Sequence, residues 1–348
     1  MGRIEIKGNI NLRQFWPDGK SDADTTKIQI KVNEDAFSYF PGLNSKSKKT
    51  RVFFESKVKP VSGRSVSPVK YAGTTRQYIT TRLEGIDAPE LHYKFYDPAT
   101  LAKYKGIALF KKYNTEYRQY YSEIATESLS KMLKQYENME SLVPCLFVSN
   151  NINKPSDVCD VYGRFVGYIL VNNGKLNINE WLLKEGLVFP AFYDSAMDYE
   201  IKKLIKDFKS AKSKPGTMMP DFSAKLLPFD YKLLFRPNGH LNPSADKGKL
   251  ILPKLFRRHC YYSILSIAGI CAVSFTDYLK SKKDDNLILY SEFKNYMKSK
   301  NKSTFHGILH LTDIYKNDTL TVDPDSFVLI EKGSTLIDSF TRKEKLKF

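Results

Sequence analysis

Residues 82–90 read Arg82-Leu83-Glu84-Gly85-Ile86-Asp87-Ala88-Pro89-Glu90, directly after YITTRL (78–83), a run with the look of a strand. The stretch places a guanidinium, a carboxylate of metal-binding type and a second carboxylate within nine residues at a strand end. Pro89 stiffens the turn and biases Ala88 toward an extended conformation, which aims the Ala88 carbonyl and the Glu90 side chain into one cavity. Taken alone, the stretch reads equally as a surface turn with two acids and an ion-paired arginine.

Two other motifs speak to the same chemistry. Residues 4–12 and 27–32 alternate apolar and polar, so the protein opens as β structure, and Asp22-Ala23-Asp24-Thr25 lies where those strands turn. The two-residue period of a strand puts both aspartates on one face, offering hard oxygen donors to a cation such as calcium; the same pattern also serves as an Asx cap. Downstream, Asp160-Val161-Tyr162-Gly163-Arg164 supplies a second arginine at the start of another strand-like run, 164–171. There Gly163 permits a sharp bend and the Tyr162 hydroxyl suits a phosphate oxygen. Residues 142–149 are strand-like, and helices are read at 111–135, at 177–186 behind the Asn173-Gly174 turn, and at about 196–213, stopped by Lys214-Pro215-Gly216.

In order, DADT (22–25), RLEGIDAPE (82–90), DVYGRFVGY (160–168), NINEWLLKEGL (177–187) and a closing helix through 211–216 resemble the thermonuclease, or staphylococcal-nuclease-like, family over about residues 20–216. The resemblance implies an α+β fold, an OB-like five-stranded β-barrel with three flanking helices. It implies a calcium-dependent endonuclease acting on DNA and RNA and leaving 3′-phosphate and 5′-hydroxyl ends. On the matching positions it implies Asp24, Asp87 and the Ala88 carbonyl as calcium ligands, with Asp22 in an outer role. Glu90 corresponds to the proposed general base, Arg82 and Arg164 to the phosphate-binding arginines, and Tyr162 to a phosphate contact. The family's two tyrosines after the second helix fall near Phe192 and Tyr193, so base stacking is expected to persist while hydrogen bonding changes. Insertions at about 41–76 and 91–114 lengthen loops that border the site. The alternative is a catalytically inactive barrel of this fold that binds nucleic acid or protein. A dead copy should lose its acids first, whereas Asp24, Asp87, Glu90 and both arginines are present.

The rest of the chain sets the context. Its 348 residues carry 55 Lys and Arg against 38 Asp and Glu, a formal +17 that calls for a polyanionic partner, nucleic acid or an anionic membrane face. With 42% hydrophobic and 27% charged residues it is neither collagen-like nor disordered. Nine Lys and Arg against one acid in residues 46–76 suggest a basic hairpin between two core strands, or else a solvated charged loop. The four cysteines (145, 159, 260, 271) are too scattered for a zinc ribbon or a disulfide framework and read as buried free thiols. The longest apolar run, 261–275, is 15 residues, short of the roughly 18–20 a membrane span needs, and reads as a buried helix. Its basic flank of Lys254, Arg257 and Arg258 leaves a membrane-surface helix as the alternative. No continuous apolar stretch opens the sequence, so a cytoplasmic location is expected unless a leader was removed. Residues 217–253 hold most of six prolines and no periodicity, which suggests a linker or wrap between a nuclease-like domain at 1–216 and a mixed α/β unit at 254–348. That unit shows no catalytic motif and could hold a protein partner. His306 and His310 have helical metal spacing, but no Glu follows His306, and the run reads better as strand, with packing or surface histidines.

Overall fold

Alternation in the first strand decides which residues face inward. In β1 (Gly2–Asn11) Ile4, Ile6 and Ile10 are buried, and in β2 (Thr25–Lys31) Ile28 and Ile30 meet them. The computed structural model describes residues 2–16, 19, 21–31, 37–40, 50–51, 69–71, 76–95, 98–152, 158, 160, 164–214, 217, 222, 250–282, 285–299 and 301–330. β1 pairs antiparallel with β2, and β2 antiparallel with β6 (Arg76–Leu83), Thr25 standing opposite Arg82. β6 runs parallel to β9 (Phe165–Val171), β9 antiparallel to β8 (Leu142–Ile152), and β8 antiparallel to β1. The five strands therefore close into a barrel of α+β, OB-like type, which leaves no strand edge unpaired around the ring. Gly167 marks a close crossing of β8 and β9: a Cβ there would lie 2.4 Å from the Val148 carbonyl oxygen.

Of the insertion between β2 and β6, the structure describes β3 (Phe37–Phe40), β4 (Thr50–Arg51) and β5 (Val69–Tyr71), paired to β1, β3 and β6 respectively. Most of its nine basic residues lie outside the described residues.

The expected helix over 111–135 is interrupted. After α1 (Pro98–Tyr104), α2 (Ala108–Tyr113) ends, and α3 (Ser122–Lys134) starts only behind Tyr121, which is left-handed at φ 74°. Backbone hydrogen bonds explain the break. Tyr117 exchanges both of its bonds with Tyr93, and Gln119 N–H donates to the Glu90 carbonyl at 2.7 Å, so these residues brace the 90–93 loop instead of extending a helix. α4 (Ile178–Lys184) follows the short β10 (Leu176–Asn177) and is capped by the Asn177 side chain, which accepts from Asn179 N–H at 3.0 Å. α5 (Asp198–Lys212) closes the barrel's set of helices.

The C-terminal residues build onto the barrel. β7 (Gly85–Asp87) pairs antiparallel with β11 (Phe189–Tyr193), and β11 runs parallel to β16 (Phe327–Leu329). β16 is antiparallel to β12 (Asn286–Leu289), which pairs with β13 (Leu309–His310). The sheet order is thus β13-β12-β16-β11-β7, and both parts of the chain contribute to one hydrophobic cluster. A small hairpin, β14 (Tyr315–Lys316) and β15 (Thr319–Leu320), turns through Asn317 and Asp318, both at positive φ. The apolar run 261–275 is divided. α6 (Pro253–Ile267) ends near Gly269 at φ 69°, and the remainder leads into α7 (Phe275–Lys280), with α8 (Phe293–Lys298) further on. Cys260, Ile264 and Leu265 are buried, and no helix among the described residues is long and apolar enough to cross a membrane. Cys145 and Cys260 are buried free thiols, Cys271 a half-buried one, and Cys159 lies outside the described residues. His306 is exposed; His310 sits between the Lys282 carbonyl and Thr312, a local structural role.

Candidate active site

The site forms where β6 ends. Gly85, at φ +77°, makes the turn from β6 into β7; a Cβ there would be strained in that conformation and would meet Leu204 Cδ1 at 2.3 Å. Asn179, fully buried on α4, holds the turn by donating to the Glu84 and Gly167 carbonyls at 2.8 and 3.2 Å. Because Thr25 is opposite Arg82, the preceding aspartates meet the start of the next loop. Asp24 Oδ2 accepts the Ala88 N–H at 2.6 Å, and Asp22 Oδ1 the Leu91 N–H at 3.1 Å.

Arg82 joins the two halves of the acid set. Its Nη1 lies 2.5 Å from Asp24 Oδ1 and its Nη2 2.6 Å from Asp87 Oδ1, with the side chain 14% exposed. Asp24 and Asp87 are 1% and 4% exposed. The structure adds a residue that sequence reading did not assign. Arg257, on α6, sets Nη1 and Nη2 at 3.2 and 3.0 Å from the two Asp87 oxygens and also donates to Glu90. Its only sequence signal was membership of a basic cluster beside an apolar run, which is a signal of charge and not of place.

Burial by itself raises the pKa of Asp22, Asp87 and Glu90, and neighbours then separate them. For Asp87, Arg257 and Arg82 outweigh burial and bring it down to about 2. Glu90 stays above the usual carboxylate range because burial, with Asp87 and Asp24 adding to it, exceeds the pull of Arg257. Asp22 is held well above that range by burial and by the charges of Glu90 and Asp24.

The other expected site residues fall in different places. Arg164, at the foot of β9, sets Nε 2.8 Å from Asp160 Oδ2, and Asp160 Oδ1 accepts its backbone N–H at 2.9 Å. Tyr162 lies outside the described residues. Phe192, expected to stack on a base, is 1% exposed and belongs to the core, as does the rest of β11 up to it; a ring so enclosed has no face to offer. Tyr193, its neighbour, is half-buried and close enough to interact electrostatically with both Arg82 and Arg257.

Against this geometry, residues 80–218 match the family model described as Staphylococcal nuclease homologue. Over that stretch the chain is similar to a staphylococcal nuclease homologue domain. No curated protein matches the chain. The nuclease-homologue domain contains Arg82, Asp87, Glu90 and Arg164, while Asp22 and Asp24 reach the same cluster from before it and Arg257 from beyond it.

The donor set of the nuclease-homologue site is all oxygen, which suits a hard divalent cation. Four carboxyl groups (Asp22, Asp24, Asp87, Glu90) meet only two guanidinium groups (Arg82, Arg257), an excess of acid that such an ion would offset. The oxygens of Asp24 and Asp87 are turned onto N–H donors. Among the described residues no group of three or more His, Cys, Asp or Glu side chains is arranged to hold a metal.

Proposed function

We propose that this protein is a calcium-dependent endonuclease that hydrolyses phosphodiester bonds in DNA or RNA. The observation that carries the reading is the convergence of Asp24, Arg82, Asp87 and Glu90 at one end of the barrel, on a nuclease-homologue domain in a chain of net charge +17. A phosphodiester anion resists attack, so a catalyst must neutralise its charge, orient it and remove a proton from water. Arg82 offers paired N–H groups to non-bridging oxygens that gain charge in the transition state, a geometry lysine lacks. Glu90, kept basic by its raised range, takes the proton as the water oxygen bonds to phosphorus. The bond to the 5′ oxygen breaks, that oxygen takes a proton from solvent, and the products are a 3′-phosphate and a 5′-hydroxyl. Tyr193, beside Arg82 and Arg257, is assigned to contact the strand, and Arg164 and Tyr162 to a neighbouring phosphate. Asp24, Asp87 and the Ala88 carbonyl would hold calcium, with Asp22 in an outer position. Once bound, the ion supplies Lewis acidity toward a phosphate oxygen and a more acidic water.

The chemistry of the ends tests this reading. Single-stranded DNA and RNA cut in the presence of calcium should yield 5′ ends that a polynucleotide kinase labels without prior phosphatase treatment. Ends that require phosphatase first, or no cleavage of either polymer, would contradict it.

A further inference from the structure

Arg257 comes from outside the nuclease-homologue residues, yet its guanidinium shares the Asp87 carboxylate with that of Arg82. Several contacts fix it there. The next residue, Arg258, points the other way and grips the fully buried Asp285 with Nε and Nη2, each 2.8 Å from a carboxylate oxygen, while Lys254 Nζ adds a third contact at 3.0 Å. On the barrel side the Tyr93 hydroxyl donates to the Arg257 carbonyl at 3.1 Å, and the rings of Phe95 and Tyr261 stack with centroids 3.6 Å apart. Gln119 links the two sides: its amide accepts the Glu90 N–H at 3.2 Å and donates to the Ile251 carbonyl just before α6. Helix α6 is thereby held in register with the Glu90 loop.

Two guanidinium groups on one carboxylate repel each other. Arg82 is already shared between Asp24 and Asp87. Arg257 adds a second guanidinium at a place that is 31% exposed, beside Glu90 and Tyr193. Meanwhile Arg164, the other arginine expected at a phosphate, has its guanidinium on Asp160.

We propose that Arg257 is a substrate-binding residue of this site, whose Nη1, while the fork stays on Asp87, exchanges Glu90 for a non-bridging phosphate oxygen of a nucleic-acid strand. The inference rests on the reading of the site as a phosphodiester hydrolase. A phosphate presents anionic oxygens much as a carboxylate does, so the exchange keeps the charge-assisted bond while releasing Glu90 to accept a proton. Binding of the strand and exposure of the base become one event.

The test separates binding from turnover. A fluorescent single-stranded oligonucleotide is titrated, by anisotropy in excess chelator and over a range of salt, into wild type, Arg257→Ala and Arg257→Lys, each checked for a native near-UV spectrum. Arg257→Ala should bind about 10- to 100-fold more weakly, with a salt slope shallower by about 0.7, and Arg257→Lys should fall between, keeping the charge and losing the fork. Wild-type affinity in Arg257→Ala would overturn the proposal. Should that variant fail to fold, wild-type affinity in Arg257→Lys would do the same. Faster cleavage by either variant would also overturn it, since the arginine would then be only a plug on Glu90. A wild type that cleaves while both variants bind normally defeats this inference alone. A wild type that binds through Arg257 but never cleaves defeats the hydrolase reading and leaves the arginine as a strand-binding residue.

Discussion

Arg82 holds two buried carboxylates at 2.5 and 2.6 Å, so it is a structural residue as well as a proposed phosphate ligand. Its replacement cannot be silent in the fold. Arg82→Ala leaves Asp24 without its guanidinium and Asp87 with only Arg257, and removing one partner of a buried pair typically costs about 3–5 kcal/mol. The variant should therefore lose turnover and also unfold at clearly lower urea, and an unchanged urea midpoint would contradict the geometry. Glu90 differs, because Glu90→Gln keeps the shape and an oxygen that accepts from Arg257 while removing the proton acceptor. That contrast makes Glu90 the cleaner probe of chemistry. The sequence could pair these residues by motif, since Asp24, Arg82, Asp87 and Glu90 each lie in a short pattern. It could not show that Phe192 faces the core and Tyr193 the site, because the strand that holds them was not recognisable in FPAFY, a short apolar run.

Helix α6 carries opposite duties on adjacent residues, Arg257 toward the barrel and Arg258 toward Asp285. His259, the next in line, is buried against the Phe275 ring, with centroids 4.9 Å apart, and burial pushes its imidazole down to about 4. The sign of the resulting pH dependence follows from the unfolded chain, where the ring titrates near its ordinary 6.5 and so binds the proton first. Stability from keeping His259 neutral is complete above about pH 6.5 and is lost as pH falls toward 4, on the order of 3 kcal/mol. In urea titrations between pH 7 and 4, His259→Gln should lose part of this acid decline, and a decline identical to wild type would contradict the assignment. Much of the barrel was legible because half-buried strands alternate and helices cap locally, as Asn177 does for α4. The break between α2 and α3 was not, since apolar spacing continues across residues 114–121 while their backbone bonds go to the 90–93 loop. Arg257 was out of reach for the same reason on a larger span: its partner Asp87 is 170 positions away, and no local pattern encodes such a contact.

Residues 254–348 were expected as a unit of their own; of these, β16 (Phe327–Leu329) joins the sheet that continues from the site. β16 lies beside β11, Tyr296 and Tyr290 donate to Asp194 and Asp198 at 2.7 and 3.0 Å, and Lys212 reaches Asp323 at 3.1 Å. A shared sheet and a shared core predict one cooperative unfolding event. Fluorescence of Trp16 and Trp181, both in the barrel part, should follow the same urea transition as far-UV circular dichroism, which also counts α6 to α8. Two separated transitions would show that the parts fold independently. The positive charge of the chain fits a polyanionic partner, and the oxygen donors of the candidate site suit a divalent ion. The proposed function rests on proton removal by Glu90. The most direct measurement is turnover of single-stranded DNA by wild type and Glu90→Gln, each with calcium and with excess chelator. Calcium-supported cleavage by wild type, abolished by chelator and reduced at least about a hundredfold in Glu90→Gln, is the predicted result. Equal rates in the two proteins, or full activity in chelator, would contradict it.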